Sequence, residues 1–213
     1  GLDNVEIPGS ITLSPAVETD GGAWVYREKI SQLLAGAGFH EILTNSISNS
    51  AWYSDEVLAT SVRMLNNLSA ELNIMRPSML ESGLECIAFN LNRKNNDLRL
   101  FEFGKTYTTT GVGQYQETEH LLLYCTGQAT PSWRHKGAAL DLYYLKGVAA
   151  MVLEQMGLPP QALPATQDEN GIWYSYRNEP VLHLYLANAN GFRAFIINQP
   201  GVFADSNGAP RLT

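Results

Sequence analysis

Between residues 80 and 91 apolar side chains recur at steps of four, three and four: Leu80, Leu84, Ile87 and Leu91. That spacing puts all four on one face of a helix. Ser78 precedes the run and Glu81 follows it by three, an S-x-x-E capping box. Arg93 and Lys94 place cations in the last turn, where they suit the dipole, and Asn95-Asn96-Asp97 is turn chemistry. From Leu98 to Tyr107 the period falls to two, with Phe101 and Phe103 on one face and Leu98 and Leu100 on the other. A strand apolar on both faces belongs inside a sheet covered on both sides, or covered on one side and facing an interface on the other.

The same reading carries along the chain. Residues 1–20 are rich in Pro, Ser and Gly and read as a lead-in linker from a preceding domain, with residues 21–213 as one module. Asp20 caps a helix to about Ala37 with Trp24, Val25, Ile30, Leu33, Leu34 and Ala37 on its apolar side, closed by Gly36 and Gly38. A strand follows over 39–44. A short helix over 51–57, capped by Ser50 or Ser54, and a brief strand over 62–65 come next. Thr108 to Gly113 reads as a hairpin tip, so the apolar run 119–126 pairs antiparallel with 98–107. Leu142, Leu145, Ala149, Val152 and Met156 mark another amphipathic helix ended by Gly157. Strands are expected over 172–176, 181–186 and 192–197. The sum is an α+β layout, an antiparallel-biased sheet of about six strands with three long helices.

Composition adds two points. The 213 residues are 45% hydrophobic and only 16% charged, against about 25% charged in a typical domain. That fits either a large core or apolar surface covered by a partner. The net charge of −7 weighs against a broad phosphate-binding face. Cys86 and Cys125 make no metal-binding spacing and read as buried, reduced thiols of a cytoplasmic protein. The histidines at 40, 120, 135 and 183 are scattered, without the spacing of zinc ligands. Gly111-Val112-Gly113 opens no helix, so it is no phosphate cradle. No apolar run approaches the ~18 residues of a membrane helix. The chain begins Gly1-Leu2-Asp3 rather than with Met, as a piece of a longer polypeptide would.

The stretch Met75-Arg76-Pro77-Ser78-Met79-Leu80-Glu81, then Asn90-Leu91-Asn92-Arg93, then Phe101-Glu102-Phe103-Gly104-Lys105-Thr106-Tyr107 closely resembles the beta subunit of bacterial phenylalanine–tRNA ligases. Gly38-Phe39-His40-Glu41-Ile42, Asn66-Asn67-Leu68-Ser69 and Leu145-Lys146-Gly147-Val148 match as well. The resemblance covers about residues 20–156 well and weakens after 165. It implies a class II aminoacyl-tRNA synthetase-like fold, an antiparallel sheet flanked by helices. It implies a catalytic alpha subunit as partner, in an assembly of two alpha and two beta chains. ATP and Mg belong to that holoenzyme, tRNA is reached through it, and no cofactor is expected in this fragment.

Class II active sites carry a strand ending F-R-x-E, whose arginine grips the ATP α-phosphate. Against that pattern Thr108 stands at the arginine and Thr110 at the glutamate, so no catalytic residue is assigned. The helix near Trp24, Ile30, Leu33 and Leu34 and the strand from Phe39 occupy the place of the class II dimerisation motif. These residues, with Arg76, Phe101 and Phe103, are the framework or interface candidates. Arg76 either anchors an interface or bonds backbone carbonyls. Glu102 is a remnant site carboxylate or, more commonly in such a setting, a paired structural charge. Trp133, Arg134 and Lys136 are the candidate nucleic-acid contact, since an aromatic beside cations can stack and neutralise. Two other functions stay open: an active ATP-dependent class II ligase, and a tRNA-contacting module.

Overall fold

A computed structural model describes residues 10, 22–67, 69–129, 133–134, 136–138, 140–158, 160–167, 171–176, 179–189 and 192–198. The expected cap Asp20, the tail from Pro200 and, apart from Ser10, the 1–20 lead-in lie outside the described residues.

Helix α1 (Gly22–Gly36) runs into β1 (His40–Glu41) through a glycine-closed turn. Gly38 sits at φ +85°, the left-handed conformation that ends helices. Ala37 and Phe39 donate back to the Leu33 and Leu34 carbonyls. β1 pairs parallel with β4 (Arg99–Gly111), His40 against Leu100. β4 then returns through β5 (Gln114–Cys125) as a long antiparallel hairpin, Phe101 opposite Leu123. β2 (Ile47–Ser48) and β3 (Ile74–Met75) form a small antiparallel ladder, with α2 (Asp55–Ala59) between them. α3 (Leu80–Leu91) precedes β4. α4 (Leu142–Gln155) follows β5, and its first turn is capped by the Asp141 carboxylate accepting from the Tyr144 amide at 2.8 Å. β6 (Ala165–Gln167), β7 (Gly171–Tyr176), β8 (Glu179–Ala189) and β9 (Phe192–Asn198) make a four-stranded antiparallel sheet, with β9 alongside β5.

The alternation in β4 sets two cores. Phe101 is buried with Ile30, Leu34, Phe39, Leu121, Leu123, Leu145, Val152 and Met156 beneath α1 and α4. Phe103 packs at the margin of that cluster, edge-on to Phe101 with centroids 6.1 Å apart. On the other face Leu100, Leu122, Tyr124, Met79 and Ile87 form a second cluster under α3, with Leu80, Leu84, Leu91 and Leu98 against it. The inner half of the hairpin is therefore covered on both faces.

The structure departs from the sequence reading in several places. The sheet is divided: among the described residues the strands fall into three sheets, and the expected 62–65 strand reduces to one bridge, Arg63 to Ile74. Two-residue strands carry no periodic signal. The β4–β5 hairpin runs past Tyr107 to Gly111, pairing Thr108 with Gln116, because its outer half is a polar ladder held by backbone bonds rather than by apolar burial. The capping box does not close. The Ser78 hydroxyl takes the Leu80 amide at 3.0 Å, and the Glu81 carboxylate accepts instead from the Tyr53 hydroxyl at 3.2 Å. The helix expected over 51–57 splits into a 3₁₀ turn, Ser50–Trp52, capped by Asn49, and α2. Cys125 is buried in β5, but Cys86 is only half-buried on α3; both are free thiols.

Candidate functional site

Glu102 lies on the α3 side of β4 and is 1% exposed. Arg76, just past β3, is equally buried and crosses β4 to reach it. Arg76 donates from Nη1 to Glu102 Oε1 at 3.0 Å and to Thr44 Oγ1 at 2.8 Å, and from Nε to the Lys105 carbonyl at 2.8 Å. The Thr44 hydroxyl donates to Glu102 Oε2 at 2.8 Å, and the Thr44 amide reaches Oε1 at 3.2 Å. Ser82 Oγ, from α3, stands 3.0 Å from Thr44 Oγ1. Four segments of chain thus meet at one ion pair whose hydrogen-bonding groups are largely met within the fold, the condition under which a buried charge pair is tolerated.

Gly104 makes this crossing possible. A Cβ there would collide with the Arg76 guanidinium and the Met79 thioether. A glycine inside a strand marks such a close backbone approach.

Beside this pair opens a cleft of about 320 Å³, lined among others by Trp24, Arg27, Thr44, Phe103, Lys105 and Tyr107. Its cations already have partners. Arg27 stacks over the Phe103 ring at 5.1 Å from the centroid and stands 3.7 Å from the Glu41 carboxylate. Lys105 Nζ bonds Glu117 Oε2 at 2.8 Å, with Glu119 at 3.9 Å, and the Glu117 bond raises the ammonium pKa above its ordinary value. Arg76 is spent on Glu102. Among the described residues no cluster of three His, Cys, Asp or Glu side chains could hold a metal ion.

Of the residues singled out by sequence, Trp24, Arg76, Glu102 and Phe103 line this cleft. Trp24 is 70% exposed at its mouth. Ile30, Leu34, Phe39 and Phe101 lie in the core, and Leu33 packs against it. Thr108 and Thr110 lie farther along the hairpin, outside the cleft lining, Thr110 Oγ1 donating to Gln114 Oε1 at 2.8 Å. Trp133, Arg134 and Lys136 are exposed on the loop after β5, with the Arg134 guanidinium 5.0 Å from the Trp133 ring centroid. The sequence reading did not single out Thr44 or Arg27. Gly104 within an apolar strand was the available signal for the crossing side chain.

A second polar cluster borders the first. Tyr53 donates to Glu81 and lies 3.1 Å from Ser48 Oγ. Burial, reinforced by Glu81, raises its pKa to about 12, with Ser48 opposing. A phenol whose folded pKa is raised contributes stability that is complete below its ordinary pKa of about 10 and lost as pH climbs through the raised value. The stability difference between wild type and Tyr53→Phe should therefore be constant up to about pH 10 and shift against the wild type between there and about pH 12. Urea melts of both proteins across that window measure it.

The family described as "Phenylalanyl tRNA synthetase beta chain CLM domain" matches residues 7–185. The phenylalanine–tRNA ligase beta subunit of Bacteroides thetaiotaomicron is 38% identical over 173 residues, 74% of this chain and 21% of that protein. That of Porphyromonas gingivalis is 31% identical over 224 residues, covering 96% of this chain and 27% of its own. The chain thus spans roughly a fifth to a quarter of the relatives it matches. A crystal structure of pyrrolysyl-tRNA synthetase from Desulfitobacterium hafniense superposes with a TM-score of 0.63 at 16% identity, over 87% of this chain and 68% of that one. This likeness gives the fold: α+β, of the class II synthetase kind. With the family match over most of its length, the chain belongs to the phenylalanyl-tRNA synthetase beta chain family and corresponds to its CLM domain.

Proposed function

We propose that this chain is a catalytic-like module of a phenylalanine–tRNA ligase that forms no adenylate itself. It supports and pairs with a catalytic alpha subunit, in a cytoplasmic assembly of two alpha and two beta chains that uses ATP and Mg. The observation that carries the reading is the engagement of the cleft cations. A triphosphate clamp needs arginine or lysine side chains aimed at developing charge. Here Arg76 is buried against Glu102, and Arg27 and Lys105 are paired at the surface with Glu41 and Glu117. Thr108, standing in the place the resemblance gives to the class II arginine, offers a hydroxyl within a β ladder. The residues present do not fit a nucleotide triphosphate or its metal.

Titrating the chain with Mg-ATP and phenylalanine, followed by calorimetry, should give no saturable heat up to millimolar ligand. Millimolar or tighter ATP binding would favour the active-ligase reading instead.

A tRNA-contacting role has one observation behind it: Trp133 is 90% exposed with a guanidinium over its ring, an arrangement suited to stacking on a base. In that reading Trp133→Ala with Arg134→Ala abolishes a low-salt gel shift of the chain with tRNA. No shift by the unaltered chain sinks it.

A further inference from the structure

A second groove lies on the far side of Leu43 from the cleft. It measures about 470 Å³ and runs between α3 and the segments 43–52 and 71–72. Three large apolar side chains stand exposed along it: Leu43 at 84%, Trp52 at 45% and Phe89 at 55%. Leu43 also lines the first cleft, where Trp24 is exposed, so the apolar surface is continuous across both. A monomeric surface rarely gathers large apolar groups this way without something to cover them.

The charges around the groove say what kind of occupant. Its lining holds two carboxylates, Glu71 and Glu85, both exposed, and no lysine or arginine. Glu85 and Phe89 stand one turn apart on α3, so a carboxylate and an aromatic ring face the groove together. The Phe89 ring already takes one guanidinium, that of Arg93, 3.3 Å from its centroid. The surface thus combines aromatic side chains of the type that dominates interface energetics with two lining carboxylates, beside the one cation already seated on Phe89. It complements an apolar side chain flanked by cations.

We propose that this groove is a protein-docking surface for a polypeptide segment of the paired alpha chain that carries an aliphatic or aromatic residue between lysines or arginines. This rests on the pairing proposed above and adds the place and the chemistry of contact. Trp52 and Phe89 anchor the apolar residue, while Glu71 and Glu85 hold its cationic neighbours.

The test is hydrogen exchange on the full beta subunit alone and with its alpha chain, together with the alpha affinity of two variants. Trp52→Ala/Phe89→Ala should weaken alpha binding by about 30-fold or more, the range of two anchor residues. Glu71→Lys/Glu85→Lys should weaken it by about tenfold at low salt, with the loss shrinking as salt screens the rim. Backbone amides of 47–53 and 85–89, already bonded within α3, β2 and the following turn, should exchange more slowly with alpha bound than in beta alone. All four side chains are exposed or half-exposed, and unchanged urea melts of the variants establish that folding is intact. If alpha binds while the exchange of these amides stays as in beta alone and both variants bind as wild type, the groove proposal is wrong and the pairing stands. If alpha does not bind unaltered beta at all, the pairing itself is wrong and the proposal falls with it.

Discussion

Replacing Arg76 by methionine is expected to cost about 3–5 kcal/mol of unfolding free energy, because it strands a buried carboxylate. Glu102 is 1% exposed and would retain only the Thr44 hydroxyl and amide. The Lys105 carbonyl would also lose its guanidinium donor. Glu102→Met should cost a similar amount for the mirror-image reason, leaving a guanidinium buried against Thr44 and a carbonyl. The double replacement, Arg76→Met with Glu102→Met, should recover most of the loss, since a buried pair exchanged for apolar groups of similar volume is often neutral or better. Urea unfolding of the four proteins gives the cycle directly. Two losses that simply added would mean the pair is not coupled as its 3.0 Å contact implies.

The second large effect is at Gly83, in the first turn of α3. Glycine in a helix interior costs about 1 kcal/mol against alanine, so by propensity alone Gly83→Ala should stabilise. The packing reverses the sign. A Cβ at Gly83 would run into the ring and hydroxyl of Tyr124, which is fully buried. That hydroxyl donates to the Met79 carbonyl at 2.8 Å, in the turn where α3 begins. Overpacking costs about 1–3 kcal/mol, and displacing a buried hydrogen bond adds about 1–3 kcal/mol. The net expectation is a loss of about 3 kcal/mol after the propensity gain. Gly147→Ala in α4 is the control of opposite sign. Nothing lies within 4 Å of a Cβ there, so it should stabilise by about 0.4–1 kcal/mol. Thermal or urea melts that gave both substitutions the same sign would contradict the packing argument.

How much of this was readable beforehand follows from where apolar periodicity existed. The α3–turn–β4 unit carries two clean periods, so its faces were legible, including the split of Phe101 and Phe103 from Leu98 and Leu100. α4 was legible for the same reason. The outer hairpin was not: Thr108 to Gly111 and Gln114 to Glu117 are polar, and backbone pairing with a partner strand leaves no trace in local pattern. β2 and β3 were missed because two residues each cannot show a period. The capping box failed by competition. Glu81 had a partner 28 residues away in Tyr53, which no local motif reveals.

The candidate site divides in the same way. Arg76 and Glu102 were each visible as odd charges beside apolar positions, but their pairing is a tertiary fact across 26 residues. Gly104 hinted at a close approach without naming the side chain. Trp24 and Ile30 both read as apolar positions of α1, yet six residues set them about 120° apart on the helix, and Ile30 is fully buried while Trp24 stands at the cleft mouth. Which part of a helix face meets the core depends on where the sheet beneath it ends.

The most direct test of the central claim is phenylalanine-dependent exchange of pyrophosphate into ATP. No exchange above buffer is expected from this chain alone at saturating Mg-ATP and phenylalanine, and exchange is expected once the alpha chain is added. Exchange by this chain alone would contradict it, since Arg27, Arg76 and Lys105 would then have to leave their present carboxylate partners to hold a nucleotide.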